Sequence, residues 1–405
     1  MSHHESGPFV TKSMLIGQEF TVSASAVGPG AIHTLMSMPC ASVGVGQTCR
    51  SLLTGFLQAG YSADLYTSRN DGAASEAFPL YSHIHRPLSL LPHRLTRRFS
   101  VPRTHRAYLD ALQPGDIAYL WPSVPLRMFR EIQARGIPIV TEAINTRMAD
   151  ARAILDAAYL ELGLPINHRI TQDRIDDEEE RLSLATAIFS PSPATDESLR
   201  RASYGNRILP VSYGVNTAPQ ISVRPVKADG GPVTFLFVGL SCVRKGLHHL
   251  LEAWRDVPAN AHLRIVGLNE PALSDLFADV LSQPNVQAIN YSTNPREEYA
   301  AADVFVLPSL EEGDPIVTYE AASFGLPIIA SPAGAGRIGA ETGAVLTFDT
   351  GDIARLRQTI ADFTHSADLR RDWGDRAHQA ALHYSWREVA RRRFSQLETM
   401  LVGRG

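Results

Sequence analysis

The chain has 405 residues, more than one hydrophobic core usually serves, so two domains are the first expectation. Hydrophobic residues make up 44% and charged residues 20%, the balance of an ordinary globular protein. A net charge of −4 argues against nucleic acid as a partner, because such binders carry a broad basic excess.

Cys40, Cys49 and Cys242 are odd in number and contain no CxxC pair. That spacing speaks against a disulfide framework or a zinc site and fits a reducing compartment with buried thiols. The opening MSHHESGPFVTKSM lacks the charged-then-apolar order of a signal peptide. No run reaches the about 18 apolar residues of a membrane span. The expected location is cytoplasmic, with any membrane contact peripheral.

Strand-like and helix-like segments alternate along the chain. Ala31 to Met38 reads as a strand. Gly44 and Gly46 follow, then a helix with Leu52, Leu53, Phe56 and Leu57, ended by Gly60. Tyr61 to Thr67 reads as the next strand. Strand, glycine turn, helix, strand is the opening unit of a doubly wound parallel sheet. Further strands are expected at Asp116 to Leu120, Pro138 to Glu142, Ala187 to Ser190 and Arg207 to Val211. The acidic run Asp176 to Arg181 predicts a solvated helix start. Asn216 to Pro232 has the composition of a linker.

A second α/β unit then begins. Val233 to Gly239 reads as a buried strand, and Leu247, Leu250, Leu251 and Trp254 follow at helical spacing. Strands are expected at His262 to Gly267, Val286 to Asn290, Val304 to Leu307 and Leu326 to Ala330. The predicted division is 1–217 and 218–384. A final basic helix from Trp386 to Leu401 carries Arg387, Arg391, Arg392 and Arg393 beside an apolar stripe, and residues 385–405 are expected to pack back on the first domain.

Two stretches carry chemistry. Pro308 to Pro332 reads PSLEEGDPIVTYEAASFGLPIIASP. After a strand ending at Leu307, a turn leads into a helix near Pro315, since proline suits a first helical turn. The free N–H groups and positive dipole end of that helix can hold a diphosphate or sugar hydroxyls. Glu312 sits at the strand-end edge, where open α/β sheets bind ligands. Glu320 lies about two helical turns further on. It offers two acceptor oxygens, enough for both hydroxyls of a ribose. Read alone, either glutamate is a solvated helix-face charge. In Phe237 to Gly246, FVGLSCVRKG, a strand again ends in glycine, Gly239, and Arg244 and Lys245 precede a helix. Such a cation pair is usually surface charge, yet at a shared sheet edge it makes a clamp for a leaving diphosphate.

These stretches resemble glycosyltransferase family 4, retaining enzymes of the GT-B fold. The resemblance is carried by FVGLSCVRKGLHHLLEAW and by the glutamates Glu312 and Glu320, separated by seven residues, in EGDPIVTYEAASFGLPIIAS. It extends to SPSPATDESL and to the YGVN of Tyr213 to Asn216, and covers the chain from about residue 30. It implies two Rossmann-like domains facing each other across a cleft. It implies transfer of a sugar from a UDP- or GDP-type donor to an acceptor hydroxyl, without metal or cofactor. Glu312 would face the donor sugar, Glu320 would hold the ribose, and Lys245 with Arg244 would bind the diphosphate. Amides from Gly313 through Asp314, Pro315, Ile316 and Val317 would bind sugar and phosphate, with Gly239 closing the strand end. Gly44 and Gly46 would approach the β-phosphate, where only bare backbone fits.

Three positions depart from the family pattern. Leu240 stands where an arginine is common. EGDP, with Asp314 and Pro315, replaces an EGFG turn. Glu142, Ala143, Ile144 and Asn145 stand where a histidine is frequent, so Glu142 or Asn145 is the candidate replacement. Residues 83–106, HIHRPLSLLPHRLTRRFSVPRTHR, interleave Arg and His with Leu and Phe. They suit either a solvated loop and helix or contact with an anionic bilayer or a lipid-linked acceptor, the acceptor being a saccharide or a lipid-linked saccharide. A dinucleotide oxidoreductase is disfavoured, since the third glycine position of the first loop is Cys49. A binding-only protein of glycosyltransferase shape stays as the non-enzyme alternative.

Overall fold

A computed structural model of the protein describes residues 31–40, 44–70, 78–82, 84, 91–216, 226–241, 243–268 and 270–402. Part of the basic segment (83 and 85–90), most of the linker (217–225) and Cys242 lie outside the described residues. In chain order the elements are β1 (Ile32–Met36), α1 (Gly44–Gln58), β2 (Ala63–Thr67), β3 (Leu80–Ser82), α2 (His93–Ala111), β4 (Ile117–Leu120), α3 (Leu126–Ala134), β5 (Ile139–Glu142), α4 (Met148–Glu161), α5 (Gln172–Leu184), β6 (Ala187–Ser190), α6 (Pro193–Arg201) and β7 (Ile208–Pro210). They continue with β8 (Val233–Ser241), α7 (Leu247–Trp254), β9 (Ala261–Leu268), α8 (Pro271–Leu276), α9 (Ala278–Leu281), β10 (Val286–Ile289), α10 (Pro295–Ala301), β11 (Val304–Leu307), α11 (Ile316–Ser323), β12 (Ile328–Ala330), α12 (Pro332–Thr342), β13 (Leu346–Thr347), α13 (Ile353–His365), α14 (Ala367–Ala381) and α15 (Trp386–Val402).

Two compact units divide the described chain. The first takes residues up to Glu142, Glu179–Phe189 and those from Trp386; the second takes Ala143–Glu178 and Ser190–Ser385. Residues 143–178 and 190–216 thus group with the second unit, whereas the division read from the linker places them in the first. The reason is local bonding. Thr146 donates its N–H and hydroxyl to Glu311, and Tyr159 donates its hydroxyl to Glu270.

In the first unit β3, β2, β1, β4, β5 and β6 lie side by side in that order, all parallel. β4, β5 and β6 are buried at every position, as expected of parallel strands covered on both faces. α15 packs on α1. Tyr61 and Phe394 stack with ring centroids 3.7 Å apart, and a Cβ on Gly55 would collide with the Trp386 carbonyl. Arg393, one of the arginines of that basic helix, is fully buried, and its Nη1 donates to both Glu142 oxygens at 3.0 and 2.8 Å.

The second sheet runs β10-β9-β8-β11-β12-β13, again parallel throughout. Phe235, Leu236 and Phe237 of β8 are inaccessible, as are Leu247, Leu250, Leu251 and Trp254 of α7. That fits the apolar run and the helical spacing read in the sequence. The outermost strands, β3 and β13, are three and two residues long and carry no pattern of their own. The acidic run Asp176 to Arg181 lies inside α5 rather than at its start. Among the described residues no helix is long and apolar enough to cross a membrane.

Candidate functional site

The site is built on the C-terminal ends of β8 and β11. Beyond β8 a 3-10 turn, Val243–Lys245, carries the two cations, and Gly246 opens α7 with φ +66°. Gly246 is required twice over: its φ suits glycine, and a Cβ would collide with the Pro308 carbonyl. The Leu310 N–H donates to the Arg244 carbonyl at 2.9 Å, so the cation turn and the glutamate turn are laced together through their backbones. The Lys245 stem lies over Gly239, where a Cβ would sit 3.6 Å from Cε.

The Lys245 ammonium bonds directly to Glu312 Oε1, which also accepts from Ser309 Oγ at 2.9 Å. Arg244 Nη1 lies 3.5 Å from Glu312 Oε2 and 3.5 Å from Glu311 Oε2. Two cations and two carboxylates therefore share one small volume. Burial pushes the Glu312 carboxyl up, but Lys245 and then Arg244 outweigh it and hold the group below its usual range. Glu311 goes the other way. Burial dominates and raises it, although Arg244 and the two Thr146 donors oppose that shift.

α11 starts at Ile316 behind Pro315, and no side chain caps that end. The Thr318 N–H donates to the Pro315 carbonyl at 2.9 Å, and those of Ile316 and Val317 keep their capacity for an acceptor. Gly313, just before, packs so closely that a Cβ would collide with the Ile144 carbonyl. Glu320 lies on the same helix and accepts from the Tyr299 hydroxyl at 2.8 Å. Burial raises its carboxyl, opposed by the Tyr299 bond and by Arg296.

Two expectations are corrected. Asp314 stands in the EGDP turn expected to meet sugar and phosphate, but its carboxylate turns inward. Oδ1 accepts from Arg337 N at 2.9 Å, and Oδ2 accepts from Tyr213 N at 2.9 Å and Tyr319 Oη at 2.7 Å. Burial pushes its carboxyl up to about 7. Glu142 is likewise not turned to a ligand, because Arg393 and the Tyr119 hydroxyl occupy its buried oxygens. Asn145, between β5 and α4, is exposed. In the first unit, Gly44 opens α1 with φ +59° and nothing within 4 Å of a would-be Cβ; Gly46, two residues on, is buried.

Sequence reasoning missed three supporting residues. Arg337 binds Asp196 through two bonds of 2.9 Å and donates to the carbonyls of Val211, Pro191 and Ser190. It sits alone in the run PAGAGRIGA, where no spacing marks it. Glu311 was visible only as a neighbour of Glu312, and Thr146 carried no signal.

Residues 232–365 match the family model described as Glycosyl transferases group 1. A D-inositol 3-phosphate glycosyltransferase of Corynebacterium kroppenstedtii is 27% identical over 252 residues, 56% of this chain and 55% of that one. The matched stretch thus spans about half of that relative's own length. A sucrose-phosphate synthase of Thermosynechococcus elongatus superposes with TM-score 0.66 at 19% identity, over 93% of this chain and all of that one. The Anabaena protein Alr3699/HepE, solved with UDP and glucose, gives TM-score 0.62 at 14% identity, covering 92% and 99%. At those identities the structures establish the fold. The segment that holds Gly239, Arg244, Lys245, Glu312 and Glu320 thus matches the group 1 glycosyltransferase model, in a chain of GT-B fold.

Proposed function

We propose that the protein is a retaining hexosyltransferase of family 4 type. It moves a sugar from a UDP- or GDP-linked donor to an acceptor hydroxyl in polysaccharide or glycolipid biosynthesis, without a metal. The observation that supports this most is the shared cluster of Lys245, Arg244 and Glu312 beside the uncapped start of α11. In the proposed reaction the bond from anomeric carbon to diphosphate breaks through an oxocarbenium-like transition state. Negative charge gathers on the diphosphate, and Lys245 and Arg244 neutralise it. The N–H groups of Gly313, Asp314, Ile316 and Val317 take sugar and phosphate oxygens, and Glu312 both holds Lys245 and lies beside the sugar. Glu320 accepts the ribose hydroxyls. Gly44 and Gly46 approach the donor phosphate with bare backbone, and Asn145 is the remaining candidate for the position where a histidine is frequent.

On the acceptor side the proposal is an anionic bilayer carrying a lipid-linked saccharide, met by α2, with the protein on the cytoplasmic face. α2 buries Thr96, Ser100 and Thr104 and leaves Leu95 and Phe99 more than half exposed, with Leu91 just before it 42% exposed. Leu95 and Phe99, four residues apart, form one stripe on the helix, flanked by exposed Arg94, Arg97 and Arg98.

The test is donor turnover. Incubation with a panel of UDP- and GDP-sugars, without acceptor, is expected to release nucleoside diphosphate slowly from one of them, and that same donor is expected to raise the melting temperature. Binding without release would favour the non-catalytic alternative. Neither binding nor release across the panel would overturn the reading.

A further inference from the structure

We propose that Glu311, which lies outside the seven-residue glutamate pair, is a positioning residue that limits how tightly Arg244 grips the diphosphate and so speeds product release. The inference rests on the function proposed above.

The Glu311 side chain is 1% exposed. Its Oε1 accepts both donors of Thr146, the N–H at 3.1 Å and the hydroxyl at 2.8 Å. Its Oε2 is left facing Arg244 at 3.5 Å, and the same Arg244 nitrogen lies equally far from Glu312. Both distances exceed the about 2.7–2.9 Å of a tight charge-assisted bond, so the guanidinium is shared rather than seized.

The two carboxylates are not equivalent when Arg244 moves to a phosphate. Glu312 keeps Lys245 and Ser309. Glu311 keeps only the neutral Thr146 donors, and a buried carboxylate stripped of its cation is disfavoured. Withdrawal of Arg244 therefore falls mainly on Glu311, which draws the guanidinium back once the diphosphate loosens. Thr146 sets the strength of that pull. The more of the Glu311 charge its donors satisfy, the less Glu311 demands of Arg244.

Calorimetry with UDP and GDP on three folded variants tests this, beside steady-state donor kinetics. Glu311→Gln keeps an acceptor for Thr146 and removes the pull. It is expected to bind the nucleoside diphosphate at least fivefold tighter, to lower KM for donor, and to lower kcat because release slows. Thr146→Val removes one donor and strengthens the pull, so affinity is expected to fall at least threefold, with Thr146→Ser restoring it. A merely structural role would weaken binding in both Glu311→Gln and Thr146→Val. Equal or weaker binding by Glu311→Gln, with the wild type binding normally, overturns the inference alone. A wild type that binds neither nucleotide overturns the functional reading and this inference with it.

Discussion

Lys245 and Glu312 form a nearly buried pair, their side chains 12% and 6% exposed, at the point where the ends of β8 and β11 come together. Burial pushes the Glu312 carboxyl up, and its two cations outweigh that and hold it below its usual range. The pair is thus poised rather than inert: the ammonium carries three donors, so it can meet an incoming diphosphate while it keeps Glu312.

Lys245→Ala is expected to lower kcat by roughly 100-fold or more, the usual effect of deleting a group that stabilises transition-state charge. It also leaves a buried carboxylate short of a partner, so stability is expected to fall by about 3 kcal/mol. Steady-state kinetics at saturating donor and urea unfolding read the two effects separately. Full turnover in the folded variant would remove Lys245 from the mechanism.

Glu320→Ala removes the acceptor proposed for the ribose. Affinity for the matching nucleoside diphosphate is expected to fall about 10-fold or more, the order of a hydrogen bond to a charged group. The variant also strands the Tyr299 hydroxyl, which donates to Glu320 at 2.8 Å, so a modest loss of stability accompanies it. Calorimetry with UDP and GDP decides the role, and unchanged affinity for both would exclude it.

The strands of both sheets were legible because parallel strands buried on both faces leave continuous apolar runs; β6 and β11 stand at the residues expected, Ala187–Ser190 and Val304–Leu307. The site was legible where glycine and charge share a strand end, as in Gly239, Arg244 and Lys245. What failed was the reading of isolated charges. Glu142 and Arg393 are 251 positions apart, and nothing local distinguishes a carboxylate at a strand end that faces a ligand from one locked to a distant arginine. Asp314 failed for the same reason: its partners Tyr213 and Arg337 lie 101 and 23 positions away. The short strands β3 and β13 gave no periodicity to read.

Asp314 predicts a specific pH dependence. Burial raises its folded-state carboxyl to about 7, above the about 3.9 of an unfolded Asp. Between those values the folded protein binds the extra proton, so the Asp314 contribution to stability is fully present below about pH 4 and is lost as pH rises to about 7. Asp314→Asn removes the titration. The difference in urea midpoint between wild type and variant is therefore expected to shift steadily in favour of the variant from pH 4 to pH 7 and to level off above. A constant difference across that range would show that Asp314 is ionised throughout.

The outward face of α2 makes the last prediction. A surface helix normally turns its apolar residues inward. Along α2 as far as Thr104 small hydroxyl residues face the protein, with Thr104 Oγ1 donating to the Thr67 carbonyl at 3.2 Å and Tyr108 and Leu109 buried further on, while Leu95 and Phe99 face out beside Arg94, Arg97 and Arg98. The double variant Leu95→Ser, Phe99→Ser is expected to lose most binding to vesicles containing phosphatidylglycerol, and wild-type binding is expected to weaken with salt because the arginines contribute. Neutral phosphatidylcholine vesicles are expected to bind poorly in both cases. Soluble-donor hydrolysis should be unaffected by the double variant, since α2 carries none of the proposed donor contacts. Equal sedimentation of wild type and variant with the anionic vesicles would make the stripe an ordinary solvated surface.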